Sequence, residues 1–199
     1  MDCTVSPLQK ARMAYAPKLP AAFKAGANVA CTEGEKLAAF ADTEKITAKF
    51  PSTSNMPLLT FAPGNGEKIA KPINVAVILS GGQAPGGHNV IAGLFDGLKS
   101  LNPESRLYGF KGGPSGLTDN KYIEITADFL AAYRNTGGFD MIGSGRTKLE
   151  TPEQFEKAEV NCKALGITAI VIIGGDDSNT NACLLAEYYK AKNAGIIVV

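Results

Sequence analysis

Short apolar runs separated by glycine-rich turns dominate the chain beyond residue 73. Residues 74–79 (NVAVIL) and 167–173 (ITAIVII) are almost continuous apolar runs rich in β-branched side chains. Such runs are typical of strands buried on both faces of a parallel sheet. Residues 139–142 and 195–199 carry shorter apolar runs. The pattern therefore predicts four strands in this part of the chain.

Helical periodicity appears between the predicted strands. Ile91, Leu94, Phe95 and Leu98 recur at the i, i+3, i+4, i+7 spacing of an amphipathic helix. A second helix is predicted to begin at Thr151, which is a good N-cap residue and is followed by Pro152 and Glu153. A third is predicted over residues 182–192. Alternation of strand, glycine turn and helix predicts an α/β fold, a three-layer, Rossmann-like parallel sheet with helices on both faces.

Residues 1–72 differ from the rest of the chain. They contain seven prolines, at positions 7, 17, 20, 51, 57, 63 and 72, and show helical periodicity only over residues 37–50. We predict an N-terminal arm with one or two short helices, packed on a partner or on the rest of the chain. The turn-rich stretch PGNGEK (63–68) predicts a boundary, after which residues 73–199 form the α/β domain.

Composition narrows the possible partners. The chain has 199 residues, is 45% hydrophobic, and balances 20 Lys and Arg against 19 Asp and Glu. The net charge of +1 predicts no binding to nucleic acid or to an acidic membrane surface. An apolar run of about 18 residues is missing, so we expect no membrane span. The N-terminus lacks the apolar core of a secretory signal, which predicts a cytoplasmic protein, with a transit peptide as the alternative.

The four cysteines do not form a metal-binding motif. They are widely separated, and the single histidine, His88, is not close to any of them in sequence. Cys162 and Cys183 lie in helix-like stretches beside apolar residues. We interpret both as small buried hydrophobic residues in a reducing compartment.

The first turn with chemical potential is SGGQAPGGHN (80–89), which follows the first predicted strand. Ligands of open α/β sheets bind at the carboxyl ends of the strands, and glycines there let backbone amides approach a phosphate. The turn matches neither GxGxxG nor a Walker A loop. A tight strand-to-helix connection without a ligand is the alternative. We interpret His88 as a hydrogen-bonding residue at the helix start, since no orienting partner for a catalytic histidine is evident.

Two more turns carry charged residues. In GSGRTK (143–148), Arg146 can bind a phosphate through two parallel hydrogen bonds, and Lys148 can add a point charge. The alternative is that both are solvated charges without a ligand. In GGDDSNTN (174–181), Asp176 and Asp177 could hold Mg²⁺ together with substrate phosphates, or cap the following helix. A glycine turn, a basic turn and an acidic turn at one sheet edge together predict a magnesium–polyphosphate site.

These turns, in this order, resemble the phosphofructokinase family. Residues 75–89 (VAVILSGGQAPGGHN), 109–116 (GFKGGPSG), 138–146 (GFDMIGSGR) and 171–187 (VIIGGDDSNTNACLLAE) are similar to its long, pyrophosphate-dependent branch. Residues 6–20 also resemble the N-terminal arm of that branch. The resemblance implies reversible, Mg²⁺-dependent transfer of a phosphoryl group from pyrophosphate to fructose 6-phosphate, giving fructose 1,6-bisphosphate in glycolysis.

The resemblance also implies which residues bind the diphosphate. Gly81 and Gly82 would lie against the phosphoryl donor, and Ser178 would belong to the same site. Arg146 would pair with the phosphate oxygens, and Lys148 would assist it. Each of these assignments follows from the matching motif positions.

The two aspartates receive different roles from the resemblance. Asp176 would hold the Mg²⁺ ion. ATP-using relatives typically carry glycine at the position of Asp177, which leaves room for the α-phosphate of ATP. A carboxylate at this position would fill that space and repel the α-phosphate, while pyrophosphate would still fit. The resemblance therefore implies that Asp177 selects the donor.

One family motif has no counterpart in the sequence. The family's general base is the first aspartate of a TIDxD segment, and residues 1–199 contain no such segment. We therefore expect a truncated chain that holds the donor half of the site, is inactive alone, and depends on other segments for most of the fructose 6-phosphate site. A non-catalytic regulatory subunit and an ATP-dependent relative are the alternatives. The family resemblance further implies a homo- or hetero-oligomer.

Overall fold

A computed structural model describes residues 5–23, 29–64 and 71–199 and contains two separate sheets. The strands are β1 Val29–Lys36, β2 Pro57–Pro63, β3 Asn74–Ser80, β4 Arg106–Phe110, β5 Tyr122–Glu124, β6 Ser144–Gly145, β7 Ile167–Ile173 and β8 Ile197–Val198. The helices are α1 Pro7–Ala14, α2 Thr43–Lys49, α3 Gly87–Leu101, α4 Pro114–Thr118, α5 Ala127–Ala131, α6 Pro152–Ala164 and α7 Asp176–Ala191. A short 3₁₀ turn covers Ala21–Phe23.

The larger sheet has the strand order β5-β4-β3-β7-β8, and β6 pairs with the carboxyl end of β3. All its pairings are parallel except that between β4 and β5. The strands predicted at 74–79 and 167–173 lie side by side in its centre, as β3 and β7. The strand predicted at 195–199 is shorter, because Gly195 adopts φ +73 and pairing with β7 begins at Ile197. The predicted α/β class is confirmed, with an antiparallel edge strand added.

Apolar side chains cover both faces of this sheet. Val75, Val77 and Leu79 of β3 belong to one buried cluster, which includes the apolar stripe of α3. Ala76 and Ile78 point the other way into a second cluster, built largely with residues of α4, α6 and α7. Alternate side chains of a strand point to opposite faces, so β3 is buried on both sides. The predicted three-layer arrangement is therefore confirmed.

The predicted start of α6 is also confirmed. The Thr151 hydroxyl accepts a hydrogen bond from the Gln154 amide, and the Gln154 side chain accepts one from the Thr151 amide. This reciprocal pair is a capping box, which satisfies two backbone donors that the helix itself leaves unpaired. Within α6, Cys162 is fully buried as predicted, and burial raises the pKa of its thiol to about 12. Cys183 is only half-buried, so its predicted burial is wrong in part.

Residues 139–142 do not form the predicted strand, although Phe139, Met141 and Ile142 are buried. The amides of Asp140 and Met141 donate to the ring of His88 instead of to a neighbouring strand. Burial there comes from packing against the α3 side of the sheet, and β pairing begins only at Ser144. An apolar run signals burial but does not specify which group will accept its backbone hydrogen bonds.

The acidic segment is helical rather than a turn. Helix α7 begins at Asp176, six residues before the predicted start at residue 182. Its first turn is polar and, apart from Ser178, exposed, so hydrophobic periodicity gives no signal there. Acidic residues are nonetheless favourable at this position because the helix N-terminus carries a partial positive charge.

The N-terminal arm contains an antiparallel hairpin of β1 and β2 in addition to the predicted short helices α1 and α2. The hairpin was not predicted because its residues are exposed on both faces, so neither strand alternates apolar with polar positions. Most of the predicted boundary at 63–68 lies outside the described residues. Within the described residues, the side chains of Asn135 and Glu187 form hydrogen bonds that join the arm to the α/β region.

Candidate functional site

The three predicted turns meet in one cleft at the carboxyl ends of β3 and β7. The cleft has a volume of about 810 Å³. Its lining includes every residue that the sequence assigns to the donor site: Gly81, Gly82, Arg146, Lys148, Asp176, Asp177 and Ser178. Parallel strands end at the same sheet edge, so residues almost 100 positions apart in the sequence become neighbours.

Glycine at two positions allows the first and second turns to touch. Gly81 has φ +93, and its amide donates to the carbonyl of Gly145 at 2.8 Å. At Gly82, an added Cβ would lie 2.8 Å from Nη2 of Arg146. A side chain at position 82 would therefore displace the guanidinium group from its present place. The glycine turn and the basic turn form one surface on which an anion can contact both.

The acidic segment enters the cleft as the first turn of α7. Gly175 is the N-cap residue and provides no side-chain hydrogen bond, so neither aspartate acts as the N-cap. Asp176 Oδ1 accepts the amide of Asp177 at 3.0 Å. Both carboxylates are exposed to the cleft. The start of this helix therefore combines the partial positive charge of a helix N-terminus with two carboxylates.

Opposite charges face each other across the cleft. Lys148 Nζ lies 3.4 Å from Asp177 Oδ1, and the two side chains are 49% and 81% exposed. Exposed ion pairs of this kind contribute little to stability. Lys148 is therefore available to a bound anion at small energetic cost.

Three residues that line the cleft received no role from the sequence, namely Ser80, Gly174 and Asn181. Ser178 Oγ donates to the buried Ser80 Oγ at 2.8 Å, which joins the acidic segment to the glycine turn. Asn181 bonds both the amide and the carbonyl of Leu149, at 3.0 and 2.6 Å, and so joins α7 to the end of the basic turn. At Gly174, an added Cβ would clash with the Ser178 side chain and lie 2.7 Å from the Ser80 carbonyl oxygen. Asn181 lies four residues after Asp177, one helical turn along, which is the signal that could have revealed it.

The interpretation of His88 as a hydrogen-bonding residue at the helix start is confirmed. It is the second residue of α3 and is 2% exposed. Its ring contacts Thr136 on one side and the backbone of residues 140–141 on the other. The site thus includes a buried polar anchor behind its glycine turn.

The described residues contain neither a cluster of metal-binding side chains nor a membrane-spanning helix. In residues 5–23, 29–64 and 71–199, no three or more His, Cys, Asp or Glu side chains cluster so as to hold one metal ion. A magnesium ion does not require such a cluster, because it typically takes one or two carboxylates and completes its shell with waters and substrate phosphates. Within the same ranges, no helix has the length and apolar character needed to cross a membrane.

Known proteins are similar to this chain in sequence. The chain is 59% identical over 194 residues to a pyrophosphate–fructose 6-phosphate 1-phosphotransferase of Porphyromonas gingivalis, which covers 98% of this chain and 35% of the relative. It is 46% identical to the enzyme of the same name from Entamoeba histolytica, over 98% of this chain and 36% of the relative. It is 44% identical to subunit beta 2 of that enzyme from Arabidopsis thaliana, and this match covers 98% of the chain and 34% of the relative. The chain thus spans about a third of the length of the curated relatives it matches.

A solved structure supports the fold. A pyrophosphate-dependent phosphofructokinase from Marinobacter aquaeolei superimposes with a TM-score of 0.54 at 21% identity, covering 63% of this chain and 32% of the other. At this identity the likeness concerns the fold alone. The family model for phosphofructokinase matches residues 74–199, which contain all three turns of the cleft. The chain belongs to the phosphofructokinase family.

Proposed function

We propose that the protein containing this chain transfers a phosphoryl group from pyrophosphate to the 1-hydroxyl of fructose 6-phosphate, giving fructose 1,6-bisphosphate. The observation that carries the proposal is the convergence of the glycine, basic and acidic segments on one cleft, with Asp177 at the start of α7. The names of the relatives in the pyrophosphate-dependent branch support the choice of donor. The reaction is reversible, because a phosphoanhydride bond is exchanged for a product of comparable phosphoryl energy.

The residues of the cleft divide the work of binding the donor. Arg146 grips phosphate oxygens through two parallel N–H groups, while Lys148 leaves its exposed pair with Asp177 to add a point charge. Gly81 and Gly82 keep the backbone open to the diphosphate, and Ser178 holds the acidic segment against the glycine turn. Phosphoryl transfer needs mainly positioning and electrostatic stabilisation, which this set of groups supplies.

The acidic pair fits a Mg²⁺ ion. Asp176 and Asp177 are exposed in the cleft beside the basic turn, and one or two carboxylates with waters and phosphate oxygens form the usual magnesium shell. Asp176 would hold the ion. When bound, Mg²⁺ neutralises the charge on the diphosphate and helps to stabilise the transition state.

We further propose that Asp177 excludes ATP. Its carboxylate lies on the first turn of α7, beside the turns assigned to the donor. An α-phosphate at this point would meet both a side chain and a negative charge, whereas pyrophosphate has no such group. The general base and most of the sugar-phosphate site are assigned to segments other than residues 1–199. The remaining proposals are a homo- or hetero-oligomeric enzyme, a cytoplasmic location, and an arm–domain boundary near residue 72.

The test compares donors in the native enzyme. Wild type should use pyrophosphate and fructose 6-phosphate in the presence of Mg²⁺ and should discriminate against ATP. Asp177→Gly should reduce that discrimination by about tenfold or more, equivalent to about 1.4 kcal/mol. Asp177→Asn is the matched control, because it removes the charge and keeps the size. An enzyme that does not use pyrophosphate at any Mg²⁺ concentration would overturn the proposal.

A further inference from the structure

We propose that His88 is a positioning residue, whose neutral ring fixes the path of residues 138–142 and thereby delivers Arg146 to the donor cleft. The inference rests on the proposed function, since it takes Arg146 as a donor-binding residue. His88 does not line the cleft. It acts through the backbone of the segment that precedes the basic turn.

The hydrogen bonds around His88 define its tautomer. Thr136 Oγ1 donates to the carbonyl of Tyr133 at 2.6 Å, so this hydroxyl can only accept from the His88 ring. His88 Nδ1, 2.6 Å away, therefore carries a proton. In the neutral ring, Nε2 is then an acceptor. It accepts two backbone N–H groups, from Asp140 at 3.0 Å and Met141 at 2.9 Å.

The ring fits a space built for it. An added Cβ at Gly138 would lie 2.6 Å from His88 Cε1, so glycine at this position permits the close approach. The amide of His88 donates to the Gly138 carbonyl at 2.9 Å, and that of Gly86 donates to the Gly137 carbonyl at 2.8 Å. The glycine turn therefore holds residues 137–141 through both its backbone and the His88 side chain.

This anchored segment leads directly into the basic turn. After Met141, the Ile142 carbonyl accepts from the Gly112 amide at 2.9 Å, and the chain reverses at Gly143, where φ is +68. Ser144 and Gly145 then pair with the end of β3, and Arg146 follows. Without the His88 bonds, two buried or half-buried amides would lose their acceptor just before this turn. A displacement of even 1 Å at a positioning group can reduce activity about 100-fold.

Protonation of His88 would reverse the arrangement. The protonated Nε2 becomes a donor and can no longer accept the amides of Asp140 and Met141, but it can donate to Asp140 Oδ1, which lies 3.0 Å away. Burial lowers the pKa of His88 below 6.5, and the Asp140 carboxylate opposes this effect. The ring of Tyr133 packs edge-on against His88, with the ring centroids 5.0 Å apart. The neutral, anchoring form therefore prevails at pH 7 and is lost as the pH falls through the lowered pKa.

The first test uses the opposite effects of burial and of Asp140 on the pKa of His88, and it is made in the native enzyme. In wild type, the KM for pyrophosphate should rise as the pH falls through the lowered pKa of His88, approaching tenfold per pH unit once His88 is mostly protonated. Asp140→Asn removes the partner of protonated His88 from an exposed position. The variant should shift this acid limb to lower pH. Dividing the KM of the variant by that of wild type at each pH cancels the titration of pyrophosphate, which both enzymes share. Scaling this ratio to its value at pH 8 then removes any pH-independent effect of the lost charge. An acid limb at the same pH in both enzymes would overturn the proposal.

The second test separates the two ring nitrogens. His88→Gln can place an acceptor near the Nε2 position, whereas His88→Asn can place a polar group only near Nδ1. We expect His88→Asn to raise the KM for pyrophosphate by roughly tenfold or more, with His88→Gln recovering much of that loss. The KM for fructose 6-phosphate should change little in either variant. Equal effects of the two His88 variants on both KM values would contradict the proposal. If the His88 variants do not fold, the pH profile of Asp140→Asn decides the proposal.

The outcome also distinguishes this inference from the proposed function. A wild-type enzyme that neither binds nor uses pyrophosphate would overturn both. The other outcome is a wild type that uses pyrophosphate, together with variants whose KM for pyrophosphate matches the wild-type value. If His88→Asn shows this, and Asp140→Asn shows it at acid pH, only the assignment of His88 is overturned.

Discussion

Across the part of the chain that the structure describes, the arm and the α/β region both contain large apolar side chains, but only the α/β region buries them. In the α/β region, β3 and β4 are buried almost completely, and two apolar clusters enclose the central sheet. Among the described residues of the arm, only Ala22 is buried, while large side chains such as Phe40, Leu58 and Phe61 are exposed. An isolated two-stranded hairpin is marginally stable in water. Apolar content alone therefore does not form a core, because a core requires a second layer to pack against.

The contrast extends to how each region is held in place. The α/β region is held by packing, whereas the arm meets it through hydrogen bonds at a few points. Asn135 donates to the carbonyls of Arg12 and Tyr15, both at 2.9 Å. Glu187 accepts from the amides of Ser52 and Thr53.

The largest expected effect comes from truncating one phenylalanine in each region. Phe110 of β4 is fully buried, so Phe110→Ala should lower the free energy of unfolding by about 3–5 kcal/mol. Phe61 of β2 is 55% exposed, and Phe61→Ala should change the free energy of unfolding by no more than about 0.5 kcal/mol. Urea denaturation midpoints of the native protein and the two variants measure the difference. Similar losses in both variants would mean that another surface covers the hairpin in solution.

A smaller effect is expected at the contact between the regions. Burial acts to raise the pKa of Glu187, but hydrogen bonds from Thr53 and Ser52 prevail and hold it below its ordinary value of 4.5. The contact therefore stabilises the docked arm above about pH 4.5 and is lost as the pH falls through the lowered pKa. Glu187→Gln should weaken docking at pH 7 by about 1–2 kcal/mol.

Amide hydrogen exchange at Ser52 and Thr53 measures this docking, after correction for the pH dependence of intrinsic exchange. Glu156→Gln makes the same chemical change at an exposed position of α6 and should leave the exchange unaltered. Unchanged protection in Glu187→Gln at pH 7 would show that the carboxylate does not hold the arm.

The smallest expected effect concerns two helix caps of the same type. Thr151 caps α6, which packs on the sheet, and Thr151→Ala should cost about 1 kcal/mol of unfolding free energy. Ser6 caps α1 through a 3.1 Å bond from the Gln9 amide, but α1 buries no residue. Ser6→Ala should fray α1 locally and leave the denaturation midpoint of the protein unchanged. A midpoint shift as large as that of Thr151→Ala would show that α1 unfolds together with the α/β region.

Sequence reasoning succeeded where burial and periodicity coincide. Strands β3 and β7 and the apolar stripe of α3 were predicted because each buries a recognisable face. The capping box of α6 was predicted in part, since Thr151 and Pro152 are local signals that do not depend on packing. The exposed hairpin and the early start of α7 were not, because neither has a periodic apolar pattern of its own. Residues 139–142 were wrongly predicted as a strand, because their apolar run is buried but the His88 ring accepts their amides.

The sequence by itself determined the α/β class, because strand ends and glycine turns are local features. Its family motifs also singled out the seven residues that we propose for the donor site. Only the tertiary structure decided how those residues meet. The parallel order of β3 and β7 brings the acidic and glycine turns to one edge, and Gly82 leaves space for Arg146. The role of His88 also depends on tertiary contacts, because its partners lie about 50 residues away and a side chain replaces a strand as their hydrogen-bond acceptor.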